Sequence, residues 1–156
     1  MGFYLPVIIS FISLLGITFY SIFFFTKKKT RLIRNQILSG RKPFLAHWTY
    51  ESANIGALQG KGSPFKFYKQ KLSVIKEIYI CTDGILFGDS LFYDWGHFAK
   101  YKKLAITTDT PPCLQFKIEF GTFDTETLVE FLIPIPEGKE LEAISVVNSL
   151  YGKNTK

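Results

Sequence analysis

The chain has 156 residues, 47% of them hydrophobic and 17% aromatic, and carries a formal net charge of +6. That length holds one compact domain, and a basic balance by itself would suggest nucleic acid or an acidic surface as partner. The distribution of charge excludes so simple a reading. Lys27, Lys28, Lys29, Arg31, Arg34, Arg41 and Lys42 all precede the first acid, Glu51, whereas the 12 lysines beyond them meet 13 acids and leave that part near −1.

The N-terminal stretch from Phe3 to Phe25 contains no charged side chain and stops at the lysine run. As a helix its 23 residues measure roughly 34 Å, against a hydrocarbon core of about 30 Å. Residues 1–26 are therefore expected to form a transmembrane anchor. A cleaved signal would carry its positive charge before the apolar run and small residues after it, and here the order is reversed. Pro6 stands where an N-myristoylation signal needs Ser or Thr. The positive-inside rule puts the N-terminus outside and the remainder in the cytoplasm, on a cytoplasmic (inner) membrane crossed once.

Residues 27–42 form a basic juxtamembrane segment and linker. The seven cations there serve as a topology determinant, or attract anionic lipid at about 1 kcal/mol per residue near the surface. Leu32, Ile33, Ile37 and Leu38 give the helix an apolar side as it continues. Ser39-Gly40 supplies a stop, and Pro43 opposes resumption.

Residues 43–156 switch to a period of two. Phe44, Ala46, Trp48 and Tyr50 share one face of a first strand. Glycines 56, 60 and 62 break the next stretch, with a short strand expected around Asn54 to Leu58 and an edge strand from Phe65 to Lys71. Ile75 to Thr82 and Ile85 to Phe87 flank Asp83-Gly84, a hairpin-turn pair, and Gly88-Asp89 turns the chain towards Leu91 to Trp95. Gly96 to Lys103 is basic and irregular. A strand from Lys103 to Thr108 ends at Asp109-Thr110-Pro111-Pro112. Leu114, Phe116, Ile118 and Phe120 alternate cleanly, and after a turn at Gly121 to Glu126 so do Val129, Phe131 and Ile133. Leu141, Ile144, Val147 and Leu150, joined by Ala143 and Val146, mark an amphipathic C-terminal helix. The expected class is α+β, mainly antiparallel, with about seven strands closed by that helix.

Three groups of residues, Leu45-Ala46-His47-Trp48-Thr49-Tyr50, Ile78-Tyr79-Ile80 with Asp83-Gly84, and Ile133-Pro134-Ile135-Pro136-Glu137-Gly138, together resemble the bacterial pleckstrin-homology-like (PH-like) domains. The likeness is to the short membrane-anchored proteins of the YcxB-like type and covers roughly residues 43–151. It implies a strongly bent seven-stranded sandwich or barrel whose open corner is plugged by the helix, and it brings no catalytic motif. Eukaryotic members of the wider superfamily hold phosphoinositides with basic residues near the first two strands, for which Lys61, Lys66, Lys69 and Lys71 are the nearest counterparts.

The candidates for chemistry are sparse. His47 and His97 with Asp94 are the residues an acid/base or metal site would use, but their spacing meets none of the usual rules. No P-loop, Gly-x-Gly-x-x-Gly or Gly-x-Ser-x-Gly is present. Cys81 and Cys113 have neither Cys-x-x-Cys spacing nor a histidine partner, and in a cytoplasmic domain are expected as buried thiols. Lys61, Lys66, Lys69, Lys71 and Lys76, interleaved with Phe65, Phe67 and Tyr68, read as a lipid- or partner-contact patch or as a solvated edge. Lys100, Lys102 and Lys103 would extend it if folding brought them near. The expectation is a non-enzymatic interaction module for a protein or peptide at the membrane, the alternative being an anionic-lipid-responsive domain and, further off, an enzyme. No cofactor, metal or nucleic acid is expected.

Overall fold

The computed structural model describes residues 4–50, 59–61, 75–95, 99–122 and 125–154. Helix α1 runs unbroken over Tyr4–Leu38, 35 residues, and ends where Ser39-Gly40 was expected to stop it. Gly40 takes a φ of 71°. The Arg41 N–H donates to Gln36 O (2.8 Å) and the Gly40 N–H to Ile37 O (3.0 Å), the paired bonds of a Schellman stop, which favours a residue without Cβ at this position. The anchor expected over Phe3 to Phe25 lies for the most part outside the residues whose side chains are described. Among the described residues no helix is long and apolar enough to cross a membrane.

Two antiparallel sheets come after the helix. In the first, β1 (Ala46–Thr49), β3 (Glu77–Ile80), β4 (Gly84–Phe87) and β5 (Leu91–Asp94) lie in the order β1-β3-β4-β5. In the second, β2 (Gln59–Lys61), β6 (Ala99–Ile106), β7 (Cys113–Thr122) and β8 (Thr125–Pro134) lie in the order β2-β8-β7-β6. The inner faces share one core, in which Trp48, Ile78, Ile80, Ile85 and Phe87 meet Leu114, Phe116, Ile118, Phe131 and Ile133. Helix α2 (Glu140–Asn154) spans from β1 to β6. There the Trp48 Nε1–H donates to Glu142 (3.1 Å) and the Leu104 N–H to Tyr151 Oη (3.3 Å). The class is thus α+β with antiparallel sheets and a C-terminal helix.

Several local expectations shift. Eight strands are formed among the described residues, against about seven expected for the domain, and β2 at Gln59–Lys61 was not foreseen; the strands expected around Asn54 to Leu58 and from Phe65 to Lys71 lie outside the described residues. Strand β6 starts at Ala99, inside the stretch read as irregular. A register shift between Tyr101 and Lys103 adds a residue there, and an inserted residue breaks the alternation that marks a strand. In the hairpin β3–β4 the Cys81 N–H donates to Gly84 O (2.8 Å), so Thr82 and Asp83 form the tip and Gly84 belongs to the strand. Neither Asp83 nor Gly84 takes a positive φ. On α2 the buried set is Ala143, Val146 and Leu150, while Leu141 and Ile144 face outward.

The continuous burial of β3 and β4 has a structural cause. An alternating strand buries one face, yet Ile78, Tyr79 and Ile80 are all buried, as are Ile85, Leu86 and Phe87. The second face is covered by α1. Ile37, with Ile33, packs on Tyr79, Cys81, Leu86 and Phe92 in a separate apolar cluster. The molecule is therefore layered: α1, first sheet, second sheet, with α2 across the gap between the sheets.

Candidate functional site

The described surface is most distinctive where α1 meets the first sheet. Thr30, Ile33 and Ile37 recur at the 3–4 spacing that keeps one helix face towards a partner. Thr30 is 1% exposed. Its Oγ1 donates to Thr26 O (2.9 Å) and accepts the Phe92 N–H (3.2 Å), a backbone donor of edge strand β5. Leu32 and Leu38, expected on the apolar side, are exposed instead, since the sheet selects the stripe through positions 30, 33 and 37.

Ion pairs frame this contact. Lys29 meets Asp94 (2.8 Å), Arg34 meets both Glu77 (2.7 Å) and Asp89, and Lys42 meets Asp83. Every acid between residues 75 and 95 thus pairs with a cation from residues 29–42. An exposed pair such as Lys29–Asp94 contributes about 0–1 kcal/mol, whereas burying an aliphatic side chain contributes roughly 1.5–3 kcal/mol. Ile37 and the ring of Phe92 hold the layers together; the charges fix how α1 is rotated upon the sheet. The Lys42 ammonium also lies 5.4 Å from the Phe92 ring centre. Lys28, Arg31 and Arg41 make no ion pair with another described residue.

Two grooves border this contact, and a third adjoins the second of them. The first, about 390 Å³, runs along α1 past Lys27, Thr30, Arg31, Arg34 and Asn35, with Asp89 on the facing wall. A second, about 560 Å³, shares Arg34 and Asp89 and reaches Thr49, Tyr50, Lys76 and Glu77. A third, about 600 Å³, continues from Thr49 and Tyr50 to Pro111, Pro134, Glu137 and Glu140. At its base the Tyr50 hydroxyl donates to Pro134 O (2.8 Å). Burial raises the Tyr50 pKa, and the charge of nearby Cys113 adds to that.

The histidine and carboxylate candidates are not assembled. His47 and Asp94 sit on β1 and β5, opposite edges of the first sheet, three strand spacings or about 14 Å apart. Asp94 instead pairs with Lys29. The His47 ring stacks on Tyr79, centres 4.1 Å apart. Its Nε2 is buried without a hydrogen bond and lies 3.4 Å from Glu77 Oε2. Glu77 also accepts the Tyr79 hydroxyl (3.3 Å). The Tyr79 pKa is raised, by burial first and then by Glu77. His97 lies outside the described residues, among which no cluster of three His, Cys, Asp or Glu suits a metal ion. Cys81 and Cys113 are free and buried. Burial pushes the Cys81 thiol up to about 11, and raises Cys113 as well.

Of the expected lysine patch, Lys66, Lys69 and Lys71 lie outside the described residues. Lys61 stands opposite Glu130 in the β2–β8 ladder, and Lys76 is exposed at the entry to β3. Lys100, Lys102 and Lys103 are on β6, the opposite edge of the second sheet from Lys61, and Lys102 pairs with Glu119 (2.8 Å). Among the described residues that second cluster is thus separated from Lys61. The acids that receive α1 are spread over 18 residues, from Glu77 to Asp94, with no periodicity of their own. The sequence shows only that residues 27–42 carry seven cations and no acid of their own.

Fold and site together define a layered antiparallel β domain with a long N-terminal helix clasped to its outer face. In comparisons with known proteins, no family model, no curated protein and no solved structure matches the chain.

Proposed function

We propose that the chain is a single-pass protein of the cytoplasmic membrane, anchored by residues 1–26, whose PH-like domain is a non-enzymatic module for a protein or peptide partner at the inner surface. The observation carrying this reading is the unbroken course of α1, which joins a charge-free stretch of spanning length to a segment clasped onto the first sheet. Residues 26–38 would then stand about 20 Å out of the hydrocarbon as a stalk. The domain is held at a set distance and angle, as suits a platform for a partner. The groove between Tyr50, Pro111 and Pro134 offers an extended peptide an apolar floor, and Glu137 and Glu140 on its rim favour a basic one. A second reading, a lipid-responsive domain, draws on the cations of α1.

The test has two parts. Membranes from cells expressing the full chain are washed with alkaline carbonate, and reporters are fused after Tyr151. The protein is expected to stay with the membrane, with a cytoplasm-active reporter bright and a periplasm-active one silent. Release by carbonate overturns the anchor, and strong periplasmic activity overturns the orientation. A photo-crosslinking residue at Thr110, exposed beside the groove, is expected to yield a discrete adduct in cells. Adducts from Lys103 but not from Thr110 would move the partner off this groove.

A further inference from the structure

We infer that the groove along α1 holds the phosphate of an anionic phospholipid headgroup. This deepens the lipid reading and rests on residues 1–26 being a membrane anchor. Lys27, Arg31 and Arg34 succeed one another at the spacing that aligns side chains along one side of a helix, and all three line the groove with Asn35. At 1.5 Å per residue Arg31 lies only about 6 Å below Lys27, within a headgroup layer of roughly 5–8 Å on each side of the hydrocarbon. The groove, about 390 Å³, falls within the range of small-molecule sites, about 300–1,000 Å³.

The facing wall carries Asp89, a charge that by itself opposes an anion. That carboxylate, however, is paired with Arg34, which also holds Glu77. Arg34 therefore spends its charge on the wall, while the groove as a whole is lined by three cations and one acid and so keeps a positive sign. Arg31, exposed and with no ion pair to another described residue, brings a planar fork that matches two phosphate oxygens. Thr30 forms the floor with its hydroxyl already donating and accepting, so a ligand rests on a surface whose bonds are closed. The site differs from a diffuse attraction of the collar in depending on one side of the helix.

The full-length protein in mild detergent, incubated with phosphatidylglycerol or phosphatidylcholine at equal mole fraction, tests this by native mass spectrometry of retained lipid. Phosphatidylglycerol is expected to be retained over phosphatidylcholine, and Arg31→Glu to lower its retention about tenfold more than Lys28→Glu, the same charge change outside the groove, which loses the diffuse attraction alone. Lys27→Gln gives an independent variant should Arg31→Glu fail to fold. Equal retention of the two lipids overturns the inference, as does equal loss from Arg31→Glu and Lys28→Glu. Complete displacement by an equal concentration of inorganic phosphate overturns the lipid assignment in favour of free phosphate. Carbonate extraction of the same membranes separates the two claims. A protein that stays embedded without discriminating lipids loses only this site, and one that is released loses the anchor beneath it.

Discussion

Gly84 shows how one atom is excluded. It lies on β4 opposite Asp94, and a Cβ there would come within 2.5 Å of both Phe92 Cζ and Tyr93 O. A ring end can swing away; a backbone carbonyl in a ladder cannot. Gly84→Ala is expected to destabilise the fold by about 1–3 kcal/mol, read as a lower urea midpoint, and to disturb α1 as well because Phe92 is its seat. The same residue explains a misreading. Asp-Gly commonly marks a turn that needs positive φ, but here the glycine serves close approach of two strands.

Cys81 makes a second prediction at this scale. Its thiol titrates near 11 in the folded chain against an ordinary value of 9.0, chiefly because it is buried. A folded pKa above the unfolded one means that the neutral thiol's contribution is whole below pH 9 and is lost as pH rises towards 11. Raised tyrosines 50 and 93 act in the same sense at higher pH. Stability to urea is expected to fall between pH 9 and pH 11, and to fall less steeply in Cys81→Ala. A thiol reagent at neutral pH should react with neither cysteine until the chain unfolds.

Among the elements, α1 and the first sheet test apolar burial against charge. Ile37 is 4% exposed, and Ile37→Ala is expected to cost about 2–4 kcal/mol. Lys29→Ala, which removes an exposed pair with Asp94, is expected to cost less than about 1 kcal/mol. Both are measured as urea midpoints of the full chain, and the reverse ranking would make the ion pairs the main fastening. The elements also differ in how plainly the sequence announced them. β7 and β8 alternate because only their inner faces are covered, and the ladder runs from Cys113↔Pro134 to Thr122↔Thr125, a tighter hairpin than Gly121 to Glu126 implied. β3 and β4 could not reveal their second covering, since that comes from a helix some 40 residues earlier in the chain. On α2 two apolar stripes compete, and only docking against β1 and β6 selects Ala143, Val146 and Leu150 over Leu141 and Ile144.

For the whole molecule, the charge ledger changes meaning. Residues 27–42 looked like a basic collar attached to a nearly neutral domain, but Lys29, Arg34 and Lys42 from that segment are paired with the first sheet. Lys28, Arg31 and Arg41 pair with none of those acids, are exposed and are available to an anionic surface. Expressed in terms of salt, the prediction divides. Raising ionic strength should weaken lipid retention at Arg31 strongly while moving the urea midpoint little, because apolar contact carries the clasp.

The Schellman stop at Gly40 and the clasp above it make α1 a shaft with no slack between its two ends. Each residue of a helix turns it by about 100° and lengthens it by about 1.5 Å. On the proposed anchor, a single alanine inserted between Phe25 and Thr26 would leave every contact of the clasp intact and yet swing the domain through more than a quarter of a circle, presenting a different side to whatever stands beside it in the membrane plane. Four inserted residues would nearly restore the bearing and merely raise the domain by about 6 Å. Activity that fails with one residue and returns with four would identify angular phase, rather than reach, as the quantity this chain transmits.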